Sequence, residues 1–184
     1  MTNELYRQTV HLVCGITAVL SVLALSKTAF LWFWGLFFVA ATLLVFFAPP
    51  SLGWAWKLFE RSDVAFRGKG GLFFLLGIWL TGALFWETAF GALLLLAIPD
   101  ALATIFAPLV HSPKLLWNHR KSVFGSTTFF VSALIILLFI APIGAAFLVA
   151  FLLAAIESFD YREIPFLDDN IVIPLVAAFL LQFA

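Results

Sequence analysis

The stretch LLLLAIPDALATIFAP, residues 93–108, is almost wholly apolar, yet Asp100 sits in its middle. Read as part of a membrane span, that carboxylate costs about 2.5–3.5 kcal/mol on insertion scales. The span reading therefore requires either a partner for Asp100 or a water-filled path to it. Pro99 immediately precedes the acid and has no N–H to give the preceding turn, which loosens a helix at this point. Arg7, Lys121 or a bound Mg²⁺ are the candidates to offset the charge. The plainer alternative is a structural ion pair inside a bundle.

The apolar run around this stretch extends from Leu72 to Val110. That is too long for one span of about 20 residues, and it divides near Glu87. Ser126–Ala155 is also too long and divides at Pro142–Gly144. Leu5–Ser26, Ala29–Ala48 and Asn170–Ala184 complete the set. The expected fold is all-α: a polytopic integral membrane helical bundle of about seven transmembrane helices, forming one domain over residues 1–184. Composition points the same way. Of 184 residues, 64% are hydrophobic and 11% charged, with mean hydropathy +1.13. A water-soluble domain of this size cannot bury so much apolar surface. Ten basic residues balance ten acidic ones, so no charge excess points to nucleic acid. Cys14 is the only cysteine, which excludes a disulfide framework. The opening MTNELYRQTVH carries Arg7 and Glu4, not the pattern of a cleaved leader.

With the N-terminus placed in the cytoplasm, Arg7, Lys57, Arg61, Arg67, Lys69, Lys114, Arg120, Lys121 and Arg162 all fall on the cytoplasmic side, and Lys27 and Glu87 fall outside. One face is nearly bare and the other is crowded with both signs of charge. Such crowding suits a site for a charged, cytosolic small molecule.

Five polar islands supply that crowding. In ELYRQTVH, Arg7 and His11 are four apart and share a helix face. Arg7 can grip phosphate, or simply anchor the helix. In residues 54–71, Trp54, Trp56, Leu58 and Phe59 suit an interfacial helix. The Lys69 turn, RGKGG, offers a cation among flexible backbone N–H groups, without the spacing of a Walker loop. Asp100 is the third island. In residues 111–130, Lys121, Ser122, Gly125 and Ser126 sit where a helix N-terminus favours anions. His111 and His119 read as loop residues without a zinc pattern. In ESFDYREIPFLDDNIVIPL, residues 157–175, the acids Glu157, Asp168 and Asp169 lie beside the basic loops, with Asn170 following. Hard oxygen ligands next to phosphate-binding cations suggest Mg²⁺. The bland reading is an N-cap for the last helix at Asp169 or Asn170.

In this order the islands resemble the CTP-dependent polyprenol kinase family, which contains dolichol kinases, phytol kinases and related diacylglycerol kinases. The matching elements are Glu4-x-x-Arg7-x-x-x-His11, Gly68, Gly70 and Gly71 before FFLLG, DALA at Asp100–Ala103, Lys121-Ser122-x-x-Gly125-Ser126, and Glu157 followed by Asp168-Asp169-Asn170-x-x-x-Pro174. The chain departs from the family pattern at Pro99 and Phe124, and lacks its Gly-rich segment after the aspartate. The resemblance implies transfer of the γ-phosphate of CTP to the hydroxyl of a membrane lipid alcohol, with Mg²⁺. Lys121, Ser122, Gly125, Ser126, Arg7, Lys69 and Asn170 are then expected at the phosphates. Asp168, Asp169 and Glu157 are expected at the metal, Asp100 as the base or a second metal ligand, and His11 as the alternative base. The rival expectations are a CTP-dependent cytidylyltransferase and a small transporter with intramembrane acids.

Overall fold

The computed structural model describes residues 2–47, 68–161, 164 and 166–184, with side chains from Leu5 onward. The expected interfacial helix at Trp54–Phe59, the side chain of Glu4, and Arg162 lie outside the described residues.

Seven α-helices are present among the described residues: α1 (Thr2–Ala24), α2 (Lys27–Phe47), α3 (Lys69–Leu84), α4 (Ala89–Phe106), α5 (Val123–Leu137), α6 (Ile143–Glu157) and α7 (Asp169–Leu181). The break expected near Glu87 is a 3₁₀ turn at Trp86–Thr88. The break at Pro142 is the start of α6, where a proline suits the first turn because no helical carbonyl awaits its N–H. Three segments, Leu5–Ala24, Lys27–Phe47 and Trp86–Leu109, are long and apolar enough to cross a membrane. The other four helices are apolar but shorter, at 13 to 16 residues.

Two helix starts differ from the sequence-based expectation. Helix α5 begins at Val123, not Ser126, because Ser122 Oγ accepts the Gly125 N–H at 3.1 Å and caps the first turn. Helix α7 begins at Asp169, capped by Asp168, whose carboxylate accepts the Asn170 N–H at 3.1 Å. A small antiparallel hairpin, β1 (Lys114–Leu115) and β2 (Asn118–Ser122), precedes α5. It places His119 on a strand where a loop was expected.

Helix α4 is the hub. It packs on α1, α5 and α7, and its two sides feed separate cores. Ala92, Leu95 and Ala103 join α5, α6 and α7, whereas Leu93 and Leu96 join α1, α2 and α3. Small residues let these helices approach closely. A Cβ built at Gly15 would lie 2.5 Å from the Cβ of Ala97, at the α1–α4 crossing. Helices α1 and α2 are pinned near their connection, where the Trp34 indole N–H donates to Ser21 Oγ at 2.9 Å. Helix α2 packs chiefly on α3, and Phe30 and Trp34 are its buried side chains.

Gly77 is where α3 and α7 touch, and a Cβ there would run into the carbonyl oxygen of Asn170. In an unconstrained helix Gly→Ala stabilises by about 0.5–1 kcal/mol. Here the methyl group has only backbone to push against, so Gly77→Ala should destabilise by about 1–3 kcal/mol. A thermal melt of the purified protein measures this; a raised Tm would contradict the packing.

Candidate functional site

Four of the five polar islands line one cavity of about 100 Å³ between α1, α3, α4 and α7. Arg7 and His11 come from α1, Gly70 and Gly71 from the first turn of α3, Asp100 from α4, and Asp169 and Asn170 from the start of α7. The helical four-residue spacing puts Arg7 and His11 on the same wall.

The partner of Asp100 is His11. Its Nε2 lies 3.6 Å from Asp100 Oδ2, with both side chains nearly buried at 12% and 14% exposure. The same nitrogen is 3.4 Å from the carbonyl oxygen of Leu96, one turn earlier on α4. Phe74 packs against the imidazole, ring centroids 4.4 Å apart, and fixes its plane. The sequence set His11 and Asp100 apart as alternatives for one role; the fold makes them a pair.

The fourth island joins through Lys121. From the end of β2 its ammonium lies 2.6 Å from Glu157 Oε1 and also donates to the Glu157 main-chain oxygen. Ser126 Oγ donates to the other carboxylate oxygen of Glu157 at 3.2 Å. Asp169 Oδ2 stands 3.9 Å from the same ammonium, linking this group to the cavity wall. Burial pulls the Lys121 pKa down, but Glu157 and Asp169 more than offset it, so the ammonium is held above its ordinary value. Lys121 is thus a fixed positive charge at the site's edge.

Asp168 Oδ1 accepts both the backbone N–H and, at 2.7 Å, the side-chain N–H of Asn170. The Asn170 amide also reaches the Gly70 carbonyl at 3.5 Å, which ties α7 to α3. Burial, and then the adjacent Asp169, push the Asp168 carboxyl up to about 8.

Several residues expected at the site are engaged by other groups of the protein. Lys69 is 1% exposed, and its Nζ donates to the carbonyls of Tyr161 at 3.0 Å and Ile164 at 2.7 Å. The ammonium expected at the phosphates is thus tied to two main-chain carbonyls that precede Asp168. Both carboxylate oxygens of Glu157, expected at the metal, are engaged by Lys121 and Ser126. Ser122 and Gly125 are buried at the start of α5, where the serine hydroxyl serves as cap. Among the described residues no group of three or more His, Cys, Asp or Glu side chains is arranged to hold a metal. Mg²⁺, however, is commonly held by one or two carboxylates together with substrate phosphates. The Asp168–Asp169 pair fits that use, since a bound cation would favour the ionised form that burial, and then Asp169, oppose at Asp168.

Chemically, the site offers a His–carboxylate pair beside a small cavity, a fixed ammonium, and the N-terminal turn of α3. Helix N-termini favour anions through their unsatisfied N–H groups and dipole. The arrangement suits an anionic ligand brought against a group that must lose a proton. The His11–Asp100 pairing had one legible signal, the matched need of a buried acid and a helix-face histidine. The brace by Lys69 had none.

The raised Asp168 pKa has a consequence for stability. Between its ordinary 3.8 and about 8, the folded chain keeps a proton the unfolded chain has released. This contribution is present at low pH and is lost as pH rises through that window. Asp168→Asn keeps a capping side chain that cannot ionise. In Mg²⁺-free buffer, its Tm should gain on that of the unaltered protein steadily from about pH 5 to about pH 8. Melting curves across that range test this; a constant difference would contradict it.

No protein-family model matches the chain, and no solved structure matches it. Over 190 aligned positions it is 31% identical to the uncharacterized protein MJ1137 of Methanocaldococcus jannaschii, covering 98% of this chain and 93% of that protein. A likeness of that level over nearly the whole of both chains means that this protein belongs to the family of MJ1137.

Proposed function

We propose that the chain is a membrane-embedded phosphotransferase that moves the γ-phosphate of CTP to the hydroxyl of a membrane lipid alcohol. The observation that carries this reading is the convergence of Arg7, His11, Asp100, Lys121, Asp169 and Asn170, from far-separated segments, on one cavity and its rim. These are the segments in which the chain resembles the polyprenol kinases.

The bundle then spans the bilayer with all seven helices and its N-terminus in the cytoplasm. Among the described residues, Lys27 and Glu87 sit at the helix ends opposite those that carry the site, which supports that orientation under the positive-inside rule. The shorter helices cross where the hydrocarbon layer thins or their ends are covered by polar loops. A lipid alcohol keeps its chain in the bilayer and its hydroxyl near the cytosolic interface, where CTP arrives from water.

Phosphoryl transfer asks a protein for alignment and charge neutralisation more than for covalent chemistry. Lys121, Arg7, the Asn170 amide and the N-terminal turn of α3 hold the triphosphate. The His11–Asp100 pair orients the lipid hydroxyl and takes its proton as the new oxygen–phosphorus bond forms and the bond to CDP breaks. Mg²⁺, held by Asp168 and Asp169 with the phosphates, would neutralise charge on the phosphate oxygens. A transport pathway would instead need acids spaced across the bundle, and Glu87 is separated from Asp100 by most of α4.

The purified protein in lipid, given γ-labelled CTP and a panel of lipid alcohols, should yield CDP and a labelled lipid monophosphate. CMP with pyrophosphate would overturn the kinase in favour of cytidylyl transfer. Asp100→Asn removes the pair's negative charge and should lower turnover by about 100-fold or more, with KM for CTP little changed. A fully active variant would remove Asp100 from the reaction.

A further inference from the structure

The turn of the β1–β2 hairpin has the wrong composition for water. Tight turns favour Gly, Asn and Asp, yet this one is Leu116–Trp117. The two side chains are 89% and 63% exposed. They are also held firmly in that position. The Trp117 indole N–H donates to Ser158 Oγ at 3.0 Å, and the Asn118 amide donates to the Ser158 carbonyl at 2.9 Å. Asn118 Oδ1 accepts the Arg120 N–H at 3.0 Å. At the base of the hairpin, the Val123 N–H donates to the Pro113 carbonyl and the Phe124 N–H to Ser112 Oγ, both at 3.0 Å. Two large apolar side chains are thus fixed outward instead of folding against the bundle.

Two observations say what covers them. The first is position. Ser158 ends α6, whose outward face presents Leu148, Phe151 and Ala155 at steps of three and four residues. Phe159, also exposed, extends the apolar surface past the helix end. The turn is therefore tied to the edge of a face that meets lipid in the orientation proposed above. The second is charge. Lys114, His119 and Arg120 are exposed on the two strands, and Lys114 Nζ donates to the Arg120 carbonyl at 3.0 Å. Asp160, 3.6 Å from Arg120, is the acid beside them. An apolar tip flanked by cations matches the boundary of a bilayer, where Trp sits at headgroup level and Lys and Arg reach the phosphates.

We infer that the Leu116–Trp117 turn seats in the cytosolic leaflet, at the boundary of headgroups and acyl chains, with Lys114 and Arg120 on the phosphates of anionic lipids. The inference rests on the membrane orientation proposed above and not on the phosphoryl-transfer reading. Strand β2 also carries Lys121, so this contact holds the strand of the site's ammonium from the lipid side.

The test uses the full chain in phosphatidylcholine nanodiscs doped with nitroxide-labelled lipid. Leu116→Cys, on a Cys14→Ala background, takes an environment-sensitive fluorophore at the tip. Phe151→Cys takes the same label on the outward face of α6. Both positions are exposed, so both variants should keep the Tm of the background chain. Nitroxide high on the acyl chain should quench the label at position 116, and nitroxide at the chain end should quench the label at position 151. Iodide in the water should leave the tip label largely unquenched. Nitroxide on phosphatidylglycerol should reach half-maximal quenching of the tip at about one-fifth of the lipid fraction needed on phosphatidylcholine, a cation near an anionic surface being worth about fivefold. Lys114→Gln with Arg120→Gln should remove that preference. A tip label quenched by iodide and not by nitroxide, or by neither, would overturn the inference, while a quenched label at position 151 would still uphold the membrane reading. Equal half-points for the two lipids, or a preference that survives the double variant, would overturn the anionic-lipid assignment. Failure of both labels to meet nitroxide would sink the membrane orientation itself.

Discussion

The contact on which the site depends is the ion pair between Lys121 and Glu157. A charge removed from water must find its opposite, because an unpartnered one is far costlier than a paired one. Lys121 ends the hairpin and Glu157 ends α6, and their pairing draws the hairpin down onto the bundle. Ser126 and Asp169 join the same pair, so the starts of α5 and α7 are fixed with it. The hairpin is held from its turn as well, where the Trp117 N–H donates to Ser158 Oγ at 3.0 Å and the Asn118 amide to the Ser158 carbonyl at 2.9 Å.

Around that anchor, α4 decides where Asp100 goes. Its small residues allow α1 to lie close, as at Gly15 and Ala97, and this approach brings His11 to the acid. Pro99 is buried inside the same helix. It removes one N–H from the backbone ladder one residue before the acid, and the His11 nitrogen sits beside the Leu96 carbonyl on that turn. Packing and charge pairing thus act on the same few residues.

Much of this was legible in the sequence, for a physical reason. Apolar runs too long for one helix must break, and Glu87 and Pro142 mark the breaks because a charge and an imino acid fit badly inside an apolar helix. Scattered polar residues in an apolar chain gain by meeting, so Arg7, Asp100, Lys121 and Asp169 could be expected together. The details resisted because they depend on distances that spacing does not encode. Leu116–Trp117, the hairpin turn, has none of the Gly or Asn signals of tight turns. Lys69 sits among glycines like a phosphate-binding lysine, yet tertiary packing brings the Tyr161 and Ile164 carbonyls to it. Asp168 rather than Asp169 caps α7, a one-residue choice that sets which carboxylate faces Lys121.

The claim at the centre is that Lys121 and the adjoining Asp168–Asp169 pair form the nucleotide end of the proposed site, beside the His11–Asp100 pair. The most direct measurement is an experimental structure of the protein with a CTP analogue that cannot transfer its terminal phosphate, and with Mn²⁺ located by anomalous scattering. The account predicts the Mn²⁺ peak against Asp168 and Asp169, and the terminal phosphate between it and Lys121, facing the cavity. A nucleotide seated at the opposite end of the bundle near Lys27 and Glu87, or a metal peak away from both aspartates, would contradict it.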